Sequence, residues 1–297
     1  MRVLPLPTTL DADSLEEVLE AAVEVGEGKV LVDGRHLRWV DPPGMVGLLA
    51  LGAWLREHTG HSARLQLSEG SEVVGYLGRM GFHRQAQDVF ELGGPGSRSR
   101  SGESDVLLEV TPIQENDHIH AMVDRVQSRA GHLLSRSLGY PATAVVQFSV
   151  ILSEVCQNIL EHADAPGWVA AQVYHWGRRL GRNVLVIGVG DLGRGFRGSL
   201  EEEHAARFGD RWGDGTALEA AFIHGFTRFP DSGRGQGLQQ IRKQVRRWGG
   251  SISIRSGTAR IADVAEWEDS EPLVEGLVPF PGSQVRIVLP ARLAHGE

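Results

Sequence analysis

The run GRGQGL in this 297-residue chain places Gly233, Gly235 and Gly237, followed by Leu238, at the opening of a helical stretch. Glycines at a helix start let backbone N–H groups approach a polyphosphate, whose charge the helix dipole favours. The lysine of a GxxxxGK[ST] loop is missing, so the run is not a P-loop. A second cluster, IGVGDLGRG, follows an apolar strand-like stretch and holds Gly188, Gly190 and Gly193 in GxGxxG spacing. A dinucleotide site would need a second buried parallel strand ending in an acid about 20 residues on, and that position falls in RFGDRWGDG, which is no strand. Shifted by three residues, the same stretch reads DLGRG, with Asp191 followed by Gly193 and Gly195. Either cluster alone reads equally well as a tight turn, because glycine permits positive φ. The third stretch is SEVCQNILEHA, residues 153 to 163. At 3.6 residues per turn Phe148, Ile151, Leu152, Val155 and Ile159 share an apolar stripe, while Glu154, Asn158 and His162 stack on another. One face builds a core, and the segment alone leaves the other as a solvated face or the wall of a site.

The order of the three stretches is more specific than any one of them. A helix with Glu and Asn four apart, then DxGxG after a strand, then GxGxG before a helix resembles the GHKL superfamily of ATP-binding domains. That superfamily includes sensor histidine kinases, anti-sigma-factor serine kinases, gyrase B, mismatch-repair ATPases and heat-shock chaperones, and the resemblance covers residues 105 to 297. It implies a Bergerat-type α/β sandwich, a mixed and largely antiparallel sheet with helices on one face, and it implies ATP and Mg²⁺ as cofactors. By the same resemblance Asn158 supplies a side-chain oxygen to Mg²⁺, a cation that keeps phosphate and water as its other ligands. Glu154 sits beside the phosphates and takes a proton from an attacking water or hydroxyl. Asp191 accepts a hydrogen bond from the adenine amino group, while Gly193 and Gly195 let the ring approach the backbone. Gly233, Gly235, Gly237 and Leu238 lie on the phosphate side. Residues 196 to 232 form a mobile lid, whose GFTRFP run offers Arg228 to phosphate. His162 is read as a packing or capping residue.

These groups need elements to hold them. After residue 105 the pattern predicts a strand in DVLLEVTPI, helices over about 116–137 and 142–163, and the strands WVAAQVYHW and NVLVIGVG joined as a β-hairpin by GRRLGR. A glycine-punctuated region follows over 191–237, then a helix over about 236–248 and the strands SISIRSG and SQVRIVLP. Upstream, GGPGSRSRSGES reads as a linker, placed at 93–104. Residues 1–92 hold strands KVLVDG and ARLQL and helices at 45–58 and 71–82, a small sheet with helices packed on it. VLVDGRHLRWVDPPGMVGLLALGAWL, with YLGRMGF later, resembles a STAS domain, the fold of anti-sigma-factor antagonists. Those antagonists carry a phosphorylatable Ser where this chain has Asp41, Pro42, Pro43 and Gly44. Without a hydroxyl the turn cannot be switched by phosphorylation, and Pro at a helix start makes a rigid N-terminal turn. The unit therefore reads as a docking or dimerisation module.

A formal net charge of −8 argues against wrapping nucleic acid. The single cysteine, Cys156, rules out an intrachain disulfide and lacks the companions of a structural zinc site, which favours a reducing cytoplasm. No leader pattern is evident, and no run approaches the roughly 20 apolar residues of a membrane span. The two resemblances together imply an ATP-binding regulator of a partner-switching pathway, acting on a STAS-domain antagonist or a sigma factor, with serine phosphorylation as the activity. Two alternatives stay open: a nucleotide-gated interaction protein without turnover, and an atypical histidine kinase, although His118, His120 and His132 on the helix at 116–137 lack the acidic flank and following Pro of the phosphoacceptor motif. Homodimerisation is likewise left open.

Overall fold

Short apolar runs alternating with helices produce a parallel sheet. The computed structural model describes residues 1–93, 107–141, 143–163, 165–228 and 236–292. Its first unit runs β1 (Arg2–Pro5), β2 (Thr9–Leu10), α1 (Ser14–Val23), β3 (Val30–Gly34), β4 (Trp39–Val40), α2 (Pro42–Thr59), β5 (Ala63–Leu67), α3 (Glu72–Arg79), α4 (Phe82–Ala86) and β6 (Phe90–Leu92). Four strands pair in parallel in the order β1-β3-β5-β6, and β2 pairs with β4 separately. Parallel neighbours require crossover segments, which the helices supply. The helix expected over 71–82 ends at Arg79, because Gly81 turns left-handed at φ 71° and redirects the chain into α4. The Gly93 N–H donates to the Leu65 carbonyl at 3.1 Å, so strand pairing reaches into the expected linker, and the rest of 93–104 lies outside the described residues.

The second unit contains β7 (Leu108–Ile113), α5 (Asn116–Leu138), α6 (Thr143–Asn158) with a π-helical turn (Ile159–Ala163), β8 (Gly167–Trp176) and β9 (Arg182–Asp191). There follow α7 (Gly195–Phe208), a 3₁₀ turn (Gly209–Arg211), α8 (Asp214–Phe222), α9 (Gln236–Arg247), β10 (Ser251–Asp263) and β11 (Leu273–Pro290). The sheet order is β10-β11-β9-β8-β7, and each of its pairings is antiparallel. The protein is thus a mixed α/β fold in which the four-stranded sheet and the β2–β4 pair are parallel and the five-stranded sheet is antiparallel. Strand alternation sends Val169, Leu185, Ile187 and Val189 to one face, against Phe148 and Leu152 of α6 and Ile241 of α9.

The reverse face is covered by the N-terminal unit. Trp168 and Ala170 of β8 and Phe280 of β11 belong to the same apolar core as Met45, Val46 and Leu49 of α2. α2 is apolar nearly all round and is buried accordingly, between the two sheets. Polar ties supplement this packing: the Val110 N–H donates to the Met80 carbonyl at 2.8 Å, and the hydroxyls of Tyr76 and Tyr174 meet at 2.5 Å. Tyr76→Phe is expected to cost about 1–3 kcal/mol in denaturant unfolding, because it strands the half-buried Tyr174 hydroxyl. The double change with Tyr174→Phe should recover much of that loss.

The described part of the expected lid, up to residue 228, holds α7, the 3₁₀ turn and α8. Ala217, Leu218, Ala220, Ala221 and Phe222 of α8 are buried, with Leu218 and Phe222 in the main core of the second unit. The apolar run TALEAAF closes this part of the chain against β10, and Gly215 just before it lies inside α8, where a Cβ would meet Glu275. The expectation about membrane-length runs also needs amending. Thr143–Glu161 is long and apolar enough by length and composition, but half of it is buried inside the protein, as in a core helix.

Candidate functional site

β9 ends at the floor of a largely apolar-walled cavity of about 340 Å³ between α6, α7, α9 and the sheet. Its walls include Val155 of α6, Ile159 of the π-helical turn, Val189, Leu200, Leu238 and Ile254. Asp191, the last residue of β9, is only 2% exposed. Its Oδ1 accepts the Gly193 N–H at 2.8 Å, and its Oδ2 accepts the Ser283 hydroxyl at 2.5 Å. Burial pushes this carboxyl above the ordinary range, and the bonds from Ser283 and Gly193 pull it back. Each carboxylate oxygen keeps a further lone pair, so Asp191 can still accept from a ligand N–H.

The glycines after Asp191 are demanded by chain packing. A Cβ on Gly193 would lie 2.1 Å from the Ala163 carbonyl oxygen, and one on Gly195, at φ 65°, would lie 2.6 Å from Ser256 Oγ. Gly195 lines the cavity; Gly193 acts through its N–H to Asp191. Ser256 accepts the Phe196 N–H at 3.0 Å and donates to the Gly282 carbonyl at 2.9 Å, which ties the start of α7 to β10 and β11. Gly282, at φ 76°, passes so close to Asp191 that a Cβ would sit 2.0 Å from its carbonyl oxygen.

The opposite wall is α6. Glu154 and Asn158 both line the cavity, as their spacing requires, Glu154 exposed and Asn158 half-buried. Immediately after Asn158 the helix widens into its π turn, a distortion that frequently marks functional positions. The loosened carbonyls of that turn find partners across the mouth. Ala163 accepts the Arg194 N–H at 3.3 Å, and Glu161 accepts from the Arg228 guanidinium. Arg228, expected on phosphate, is therefore engaged with the protein's own backbone beside the mouth. Gly237 and Leu238 line the cavity, and a Cβ on Gly237 would fall 2.4 Å from Glu154 Oε2. The Glu154 carboxylate thus faces the first turn of α9. Gly233 and Gly235 lie outside the described residues, as does the His162 side chain.

The arrangement offers a buried acceptor at the closed end, apolar walls for a flat ring, and a carboxylate with an amide near the mouth. No group of three or more His, Cys, Asp or Glu side chains assembles a metal cage among the described residues. The Asn158 amide oxygen suits a cation such as Mg²⁺, which takes few protein ligands and completes its shell with phosphate and water. Ser283, Ser256 and Gly282 are the site residues that sequence reasoning did not reach. Ser283 sits in PGSQ at the head of SQVRIVLP, and only the pairing of Gln284 with Gly190 brings it beside Asp191. No protein-family model matches this chain, and no curated protein matches it significantly.

Proposed function

We propose that the chain is an ATP- and Mg²⁺-binding regulatory protein of the GHKL superfamily, resembling anti-sigma-factor serine kinases and acting in the cytoplasm on a protein partner. One observation carries this reading: Asp191 closes an apolar-walled cavity whose other wall presents Glu154 and Asn158 one helical turn apart. A heteroaromatic ring bearing an amino group suits the closed end, where Asp191 accepts from that amino group. Asn158 would hold Mg²⁺, which when bound draws charge from the phosphates. Glu154 would take the proton of a serine hydroxyl as its oxygen bonds the γ-phosphorus of ATP, while the bond from that phosphorus to the β,γ-bridging oxygen breaks and ADP leaves. The acceptor belongs to a separate STAS-type protein, because the chain's own turn at Asp41–Gly44 has no hydroxyl and faces the reverse side of the sheet.

Calorimetric titration with ATP and Mg²⁺ tests the site. Wild-type protein is expected to bind, and Asp191→Ala to weaken binding about 10- to 100-fold, the loss of a hydrogen bond to a charged acceptor. Absence of binding by the wild type to both ATP and ADP would sink the proposal.

A further inference from the structure

The cavity floor is two-sided, and the N-terminal unit holds its underside. Along β9, Val189 and Asp191 point side chains into the cavity, which Gly190 lines with its backbone, whereas a side chain on Gly188 or Gly190 would point at α2. A Cβ on Gly188 would lie 2.4 Å from the Pro43 nitrogen and 2.5 Å from the Pro42 carbonyl carbon; one on Gly190 would lie 2.9 Å from Val46 Cγ1. The turn Asp41-Pro42-Pro43-Gly44 can seat only because these two positions lack side chains.

The same alternation recurs on the next two strands. On β11, Ser283 holds Asp191, while Arg286, three residues on, donates to Glu268 of its own unit at 2.8 Å and only lines a cleft shared with Asp41. On β10, Ser256 holds the start of α7 and the Gly282 turn. Its neighbour Arg255, 5% exposed, donates from Nε and Nη2 to both carboxylate oxygens of Glu16 in α1, at 2.6 and 3.3 Å. Strands β9 and β10 thus each carry a residue packed on or bonded to the N-terminal unit next to one that shapes the cavity, and β11, between them, carries Ser283. Side chains at neighbouring strand positions point to opposite faces, so a shift of the strand moves both.

We propose that the N-terminal unit is a built-in effector of the cavity: its seating on Gly188, Gly190 and Arg255 sets the positions of Asp191, Ser283 and Ser256 on the other face. Release of the unit and loosening of the site are then one coupled equilibrium. By linkage, a ligand that tightens the cavity tightens the docking by the same factor. The coupling concerns whatever ligand the cavity takes, so it stands or falls independently of the nucleotide reading.

Hydrogen exchange on the full chain without ligand tests it, comparing wild type with Gly188→Ala. The added methyl is expected to raise exchange at least tenfold in residues 41–50 and, jointly, in 189–196 and 282–285. Faster exchange in 41–50 with wild-type protection at 189–196 and 282–285 overturns the proposal. Unchanged exchange in both regions overturns it too, since the methyl would then have been absorbed without moving the turn. Should Gly188→Ala loosen the whole chain, Glu16→Gln decides. Joint loosening of α1 and of residues 195–200 supports the coupling, and loosening of α1 alone, or of neither, defeats it.

Discussion

Between about pH 4 and pH 7 the folded protein is expected to lose stability as pH rises, and Asp41→Asn is expected to flatten that loss. Asp41 is 3% exposed, caps α2 by accepting the Gly44 N–H at 2.8 Å, and lies where the two units meet. Burial pushes its carboxyl up to about 7, with Asp11 and Asp13 adding to the rise and the Gly44 N–H and Arg286 opposing it. The hydroxyl pair of Tyr76 and Tyr174 lies close enough to feel its charge. The folded state therefore binds this proton more tightly than the unfolded chain does. The stabilisation is complete below about pH 4, where both states are protonated, and is lost as pH passes 7. A shift of about three units corresponds to roughly 4 kcal/mol at most. Asp33, held at about 2 by its bonds to Arg35, acts in the opposite sense but only at lower pH. Asp191 is also pushed up and contributes to the slope, so the quantity to measure is the difference between the two proteins in urea unfolding at a series of pH values. Asn keeps the capping oxygen, so the cap survives the substitution. Parallel curves for wild type and Asp41→Asn would show that the carboxyl is ionised in the folded protein throughout.

Elements whose signal is local were legible in the sequence. The β8–β9 hairpin, the helix carrying Glu154 and Asn158, and the start of α9 follow from periodicity and turn residues, and the cavity gathers Glu154, Asn158, Asp191, Gly195, Gly237 and Leu238 from three separated motifs. α1 was equally available: Leu15, Val18, Leu19 and Ala22 repeat at helical spacing and are all buried. α7 and α8 are harder, because Gly195, Gly198, Gly209, Gly213 and Gly215 punctuate the run and glycine reads locally as a breaker, while packing of Leu218 and Phe222 decides the outcome. The roles of Gly188 and Gly190 were not legible at all. A glycine in a strand signals either a bend or a close approach, and which chain approaches is a property of tertiary structure. Ser283 escaped for the same reason, since its partner lies 92 positions away.

Glu154→Gln is expected to lower phosphate transfer to a STAS-type partner by about 10²- to 10⁴-fold, the usual contribution of a positioned general base, while leaving ATP affinity within a few-fold of wild type. The amide keeps the length of the side chain and its contact with Gly237, where Oε2 lies 2.4 Å from the place of an added Cβ, but it cannot take up a proton. The substitution therefore separates proton transfer from the steric fit between α6 and α9. Burst measurements with radiolabelled ATP, paired with calorimetry on the same preparations, give both quantities. Equal loss of binding and transfer would mean that Glu154 acts by closing α9 onto the cavity, which is what a nucleotide-gated interaction protein requires. Transfer by Glu154→Gln at the wild-type rate would remove this carboxylate from the chemistry altogether. The kinase reading survives only if transfer falls and binding does not, because a group that acts in the transition state alone leaves the ground-state complex intact.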